Sequence, residues 1–169
     1  MNTLERELII HPIAESRISE VDMNNLPFGR VFSDHMLLAR YENGKWGIPE
    51  ILPYGPIHFA PSMLSLHYGQ AIFEGMKASR SASGEAVLFR AIDNLRRLNQ
   101  SALRMSMPEL PEALFMEGLR ELVRIDKAWI PAADKGSLYI RPVMFASDES
   151  IGVRASESYI FSIMTCPVG

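Results

Sequence analysis

Two helical stretches follow one another with no strand between them, and this order constrains the fold more than any other feature of the chain. Ile92, Leu95, Leu98, Ala102 and Met105 recur at helical spacing, which predicts an amphipathic helix over 92–106. Pro108 ends it. Pro111, suited to a first helical position, starts a second helix running to about Ala128. A doubly wound fold needs strand and helix to alternate throughout, so the paired helices exclude it.

The flanking segments read as strands. Val31–Arg40 is a strand pattern, and Asn43-Gly44 is a turn signal before Trp46-Gly47-Ile48, so a hairpin is expected. The four prolines from Pro49 to Pro61 mark irregular or edge structure. A helix is expected from Ser65 to Phe73 and a strand from Gly75 to about Arg80. The turn Ser81–Glu85 leads to a returning strand, Ala86–Arg90. Ser137–Phe145 and Ser158–Thr165, rich in Tyr, Ile, Val and Phe, complete the strands. Hairpin-like strands with a helix pair inserted predict an α+β fold: a two-layer sandwich, with a largely antiparallel sheet and helices packed on one face. Residues 1–27 are mixed and polar and are expected to form an arm on the surface, with the domain proper spanning 28–169.

A chain of 169 residues is one domain's worth. With 47% hydrophobic and 22% charged residues its composition is that of a soluble protein. The formal charge of -3 comes with no basic run, which argues against nucleic-acid binding. No signal-length or membrane-spanning apolar run occurs, and a lone cysteine, Cys166, fits a reducing compartment. A soluble, cytoplasmic protein without membrane partners is expected.

Three places carry candidate chemistry. The stretch Leu66–Lys77 holds Tyr68, Phe73 and Gly75, and a glycine there lets a ligand approach the backbone closely. Ordinary helix-to-strand packing would use the same residues. On the 92–106 helix, Arg97 lies off the apolar stripe beside Asp93. It is either half of an i,i+4 ion pair or an anion site near the helix start, where guanidinium and backbone would both attract a phosphate. In Tyr139-Ile140-Arg141-Pro142, strand alternation puts Tyr139 and Arg141 on one face, suited to clamping a carboxylate. A surface arginine leaning over a tyrosine ring is the plainer alternative. Pro142 places that strand at an edge or at its end. His11, His35, His58 and His67 lack metal-ligand spacing and accompanying carboxylates, so no metal site is expected. Cys166, with no activating partner, reads as a structural thiol.

Taken together, these motifs resemble the N-terminal small domain of branched-chain amino-acid aminotransferases, which are fold-type IV pyridoxal-phosphate enzymes. The match runs through Phe28-Gly29 with Phe32–Met36, Leu66–Lys77, Leu88-Phe89-Arg90 with Asn94 and Arg97-Leu98, Tyr139–Pro142, and Ile151-Gly152-Val153. Pro167-Val168-Gly169 resembles the point where family members leave the small domain. The resemblance implies that Arg97 binds the phosphate of pyridoxal 5'-phosphate. It implies that Tyr68, Tyr139 and Arg141 hold substrate carboxylates, with Arg141 important for the acidic side chain of glutamate. Phe28, Phe73 and Tyr139 would line a pocket for a branched aliphatic side chain, and Gly75 and Lys77 would shape its wall. The loop matching Gly152 and Val153 would reach the partner subunit's site, implying a homodimer. The substrates implied are branched-chain amino acids and glutamate or 2-oxoglutarate.

Family members draw their Schiff-base lysine, and most contacts to the cofactor ring, from a larger C-terminal domain. The only lysines here are Lys45, Lys77, Lys127 and Lys135, and none matches that position. The chain alone is therefore expected not to transaminate or retain the cofactor. A relative acting on D-amino acids or aminodeoxychorismate, and a non-catalytic interaction module, are the competing readings.

Overall fold

In the computed structural model, residues 8–169 are described; the first seven residues of the expected arm lie outside them. Nine strands form one curled sheet in the order β1-β4-β2-β9-β8-β6-β7, with β3 hanging from β2 and β5 from β8. The strands are β1 (Ile9–Ile10), β2 (His35–Glu42), β3 (Lys45–Trp46), β4 (Glu50–Pro53), β5 (Ala71–Phe73), β6 (Met76–Arg80), β7 (Ala86–Leu88), β8 (Ser137–Ala146) and β9 (Tyr159–Val168). The helices are α1 (Leu64–Tyr68), α2 (Ala91–Arg104) and α3 (Glu112–Ile125). The fold is α+β. Every strand pairing is antiparallel except β1 with β4.

The long β8–β9 pairing, from Ser137 opposite Val168 to Ala146 opposite Tyr159, fixes the register of the whole sheet. Successive residues of each strand point to opposite faces by the two-residue repeat. On the inner face Leu37, Ala39, Ile72, Met76, Ala78, Leu138, Ile140, Met144, Phe161 and Ile163 are buried in the core. Helices α2 and α3 supply the opposing wall. Ala91, Leu95, Leu98 and Ala102 recur along one side of α2, as do Leu114, Phe115, Leu119, Leu122 and Val123 on α3. Each fully buried leucine of this set contributes about 1.5–3 kcal/mol. Gly118 lets α3 come close to the sheet: a Cβ there would lie 2.8 Å from Leu37 Cδ2.

The outer face carries Met36, Leu38, Ile160, Ser162, Met164 and Cys166 alongside Tyr139, Arg141 and Val143. Most of the β2 and β9 positions on this face are buried too. The proline-rich segment between β4 and α1 contributes to their cover. It leaves β4 with the Tyr54 N–H donating to Asp34 O at 2.8 Å and ends where Met63 bridges Glu149. Phe59 and Ala60 within it line a hollow with Ile160.

Several local expectations need correction. The helix expected over 65–73 stops at Tyr68, because Gly69 adopts the left-handed conformation (φ 68°) that closes a helix. Ala71–Phe73 instead forms β5 against Val143–Phe145. The strand expected from Val31 begins at His35, and Pro111 precedes α3 rather than opening it. Pro142 is neither at an edge nor at a strand end, since β8 has β9 on one side and β5 and β6 on the other. The proline is tolerated because its neighbour changes there. Ala71–Phe73 ends and Met76 begins opposite it, and the Glu74 N–H donates to Pro142 O at 2.9 Å. A strand residue's N–H and C=O point the same way, so the missing N–H falls in that break. The expected hairpin forms, with Asn43 (φ 54°) and Gly44 (φ 76°) both left-handed at its turn.

Two histidines also have carboxylate partners that the sequence reading did not foresee. His35 Nδ1 lies 2.7 Å from Asp126 Oδ1, and its N–H donates to Asp126 Oδ2 at 3.0 Å, both residues being buried. His11 Nε2 lies 2.8 Å from Glu50. Among the described residues no three metal-ligating side chains cluster, and no helix is long and apolar enough to cross a membrane.

Candidate functional site

Strand alternation in β8 presents Tyr139 and Arg141 together on the outer face. Arg141 Nη2 donates to the Tyr139 hydroxyl at 2.7 Å. The guanidinium carbon lies 4.4 Å from the centroid of Phe73 and 5.4 Å from that of Tyr139, so two aromatic faces hold it by cation–π attraction. Phe28 meets Tyr139 edge-on at 5.3 Å. Phe28, Gly29, Phe32, Tyr139, Arg141, Met164 and Cys166 line an open cavity of about 260 Å³. Its walls are apolar and its polar groups converge from one strand, the usual build of a small-molecule site.

Arg141 Nε is buried and finds no hydrogen-bond partner among the described residues. A buried donor of a charged group left unpaired costs free energy, and an arriving acceptor recovers it. Burial pushes the Cys166 thiol up, away from the reactive thiolate, with the Gly29 N–H and the Arg141 charge opposing only in part.

Arg97 stands on α2, two turns in rather than at the start. It lies six positions on from Ala91, about 9 Å along the axis. The i,i+4 pairing with Asp93 does not form. Asp93 instead takes Arg90 Nε at 2.6 Å and Arg96 Nη1 at 3.0 Å. Arg97 turns to Glu74, in the break between β5 and β6: Nε meets Oε1 and Nη2 meets Oε2, each at 2.5 Å. Glu74 is 6% exposed and Arg97 65%. Burial alone would push the Glu74 carboxyl up. Hydrogen bonds from Arg97, Asn94 and the Gly75 N–H, with the Arg97 charge, outweigh it and hold the carboxyl below its ordinary value.

Gly75 joins the two clusters. It follows Glu74, and a Cβ on it would lie 2.5 Å from the Tyr139 hydroxyl oxygen. Lys77, on the same strand as Gly75's successor Met76, is paired in register with Tyr139 and is exposed. Arg97, Glu74, Gly75, Tyr139 and Arg141 thus form one continuous run of contacts. Tyr68 lies off this run. Its hydroxyl donates to Ile151 O, tying α1 to the loop between β8 and β9. Val153, farther along that loop, is 87% exposed and makes no hydrogen bond among the described residues.

No protein-family model matches the chain. Curated relatives do. The chain is 48% identical over 149 residues to branched-chain-amino-acid transaminase 1 of Bacillus subtilis (strain 168), covering 88% of this chain and 42% of the relative. It is 42% identical over 167 residues to branched-chain-amino-acid aminotransferase 2 of the same organism, covering 98% and 46%. In three dimensions it is similar to the crystal structure of the Escherichia coli branched-chain amino acid aminotransferase, at 25% identity and a TM-score of 0.60, over 80% of this chain and 40% of that one. A second neighbour, also at 25% identity, is the branched-chain aminotransferase of the thermophilic archaeon Thermoproteus uzoniensis with norvaline. Its TM-score is 0.59, over 80% and 41%.

The chain is similar to branched-chain aminotransferases over most of its own length. It spans less than half the length of the curated relatives it matches.

Several residues of the site escaped the sequence reading. Met164 and Cys166 enter the cavity only because β9 pairs with β8 in one register, opposite Arg141 and Tyr139. The two strands are consecutive, but no local signal fixes the register across the loop 147–158. Glu74 offered a faint one, a lone carboxylate in an otherwise apolar run. Asn94 stood in the matched motif with no role given to it; it donates to Glu74 Oε2 at 3.2 Å and Gly75 O at 3.3 Å.

Proposed function

We propose that the complete protein is a pyridoxal-phosphate-dependent branched-chain aminotransferase, moving an amino group from leucine, isoleucine or valine to 2-oxoglutarate to give a branched 2-oxo acid and glutamate. In this reading the chain is its small domain, one layer of sheet and one of helices. The observation that carries the proposal is the cavity whose apolar walls, Phe28, Phe32 and Met164, meet the Tyr139–Arg141 pair at one side. Such a site suits both members of the exchange. The aliphatic side chain is held by apolar contact, and the glutamate carboxylate by the charge-assisted donors of Arg141. Tyr139 accepts from Arg141, so its own proton is available to a substrate carboxylate. Phe73, Gly75 and Lys77 form the adjoining wall, and Tyr68 is an outlying phenol whose proton must leave Ile151 O to reach a substrate carboxylate.

Arg97 fits the phosphate of the cofactor: its Nη1 nitrogen has no partner among the described residues, and the side chain is open to solvent. When bound, pyridoxal 5'-phosphate supplies the carbonyl carbon that takes up and releases the amino group. Lys45, Lys77, Lys127 and Lys135 do not stand in the family's position for the lysine that holds it, so the 169-residue chain alone neither retains the cofactor nor turns over. The complete protein adds a C-terminal cofactor domain and works in the cytoplasm as a homodimer, with the Gly152–Val153 loop reaching the partner's site. Assay of leucine with 2-oxoglutarate tests this. Glutamate production by the complete protein, and none by purified 169-residue chain, is the expected result. Turnover by the chain alone, or none by the complete protein, overturns it. Preference for D-amino acids would move the protein to a neighbouring activity of the same fold.

A further inference from the structure

We propose that Glu74 is a positioning residue for anion binding, the buried strut that aims the Arg97 guanidinium. The inference rests on the reading of Arg97 as the phosphate site and says how that site is built.

An arginine two turns along a helix and 65% exposed ordinarily samples many rotamers, and ordering it when an anion arrives is costly. Here the ordering is done in advance. Glu74 takes the Nε/Nη2 side of the guanidinium with both oxygens, at 2.5 Å each. A guanidinium has five N–H donors in a fixed plane. Two are used by Glu74, leaving one hydrogen of Nη1 and the second of Nη2 side by side along one outward edge, with the other Nη1 hydrogen on the Cδ side. Glu74 is itself held. Its carboxylate accepts from Asn94 Nδ2 at 3.2 Å and from the Gly75 N–H at 3.3 Å. Its backbone N–H donates to Pro142 O at 2.9 Å. The strut therefore stands on the break in the sheet and aims a residue on the helix.

Two effects of the carboxylate oppose each other. Its charge offsets that of the guanidinium and weakens attraction for an anion at long range. Its geometry fixes the outward edge and removes the ordering cost. The outer edge is open to water, where long-range attraction is weak, so the geometric effect wins.

The test uses the 169-residue chain and inorganic sulfate as the probe, with binding followed at the Arg97 Nε–H resonance by NMR and by calorimetry. Glu74→Gln keeps the shape and removes the charge. The expected result is sulfate binding weakened roughly fivefold or more, with the Nε–H signal losing its hydrogen-bonded shift while signals elsewhere stay in place. Should Glu74→Gln prevent folding, Asn94→Ala removes a support of the strut and is expected to weaken binding in the same direction. Equal or tighter sulfate binding by whichever variant folds, with binding abolished by Arg97→Ala, overturns the strut and leaves the anion site standing. Sulfate binding unchanged by Arg97→Ala overturns both.

Discussion

The hydroxyl of Tyr139 and the α-carbon of Gly75 stand so close that a methyl group on Gly75 would lie 2.5 Å from that oxygen, with ring carbon Cζ at 3.3 Å. Tyr139 cannot yield without losing the bond that Arg141 Nη2 donates to it at 2.7 Å. Gly75→Ala is therefore expected to dislodge the pair from the cavity. A charge-assisted hydrogen bond contributes about 1.5–3 kcal/mol, so kcat/KM for leucine in the complete protein should fall about tenfold to a hundredfold. Steady-state kinetics checks this, and a crystal structure of the variant should show Tyr139 turned away.

Gly118 on α3 plays the equivalent part in the core. A Cβ there meets Leu37 Cδ2 at 2.8 Å and Cδ1 at 3.0 Å, and Leu37 is fully buried with nowhere to go. Alanine improves helix propensity by up to about 1 kcal/mol, yet overpacking costs about 1–3 kcal/mol. Urea denaturation of Gly118→Ala should show a net loss of about 1–2 kcal/mol.

Acid should loosen the chain at two buried carboxylates. For Asp34, burial pushes its carboxyl up. Hydrogen bonds from Ser16, the Arg17 N–H and Trp129, with the Arg17 charge, more than reverse this, so it is held below its ordinary value, as Glu74 is. A carboxyl that ionises more readily when folded adds stability above its unfolded value, about pH 4. That contribution is lost as pH falls through the lowered folded value. Stability measured from pH 7 down should hold to about pH 4 and then decline. Asp34→Asn and Glu74→Gln should each be less stable at neutrality and flatten the acid limb.

Asp126 closes α3 onto the start of β2 by accepting from His35 N–H at 3.0 Å and pairing with His35 Nδ1 at 2.7 Å. Asp126→Ala strands both groups in the interior and is expected to cost about 2–4 kcal/mol. Thermal or urea unfolding measures it.

This pair also marks where the sequence stops being legible. His35 and Asp126 are 91 residues apart, and nothing local to either announces the other. What could be read was local: periodicity and turn chemistry. The apolar stripe of α2 and the shared face of Tyr139 and Arg141 follow from repeats of 3.6 and 2 residues, and the Asn43-Gly44 turn from the left-handed preference of those two residues. The register of β9 on β8 was out of reach, and with it Met164 and Cys166 in the cavity, as was the partner of Arg97. The i,i+4 rule favoured Asp93 for Arg97, but Asp93 had two nearer arginines at Arg90 and Arg96, and Glu74 offered two buried oxygens. At Gly69 the error was one of punctuation, since a single left-handed residue cut the expected helix short and freed Ala71–Phe73 to become β5.

Arg141→Ala in the complete protein tests most directly the claim that one cavity serves both an aliphatic side chain and a carboxylate. The quantity to measure is kcat/KM for glutamate against that for leucine. With the guanidinium gone and the walls of Phe28, Phe32 and Met164 intact, glutamate should lose at least tenfold more than leucine, a differential of about 1.4 kcal/mol or greater. Equal losses for the two substrates, or a larger one for leucine, would contradict the account.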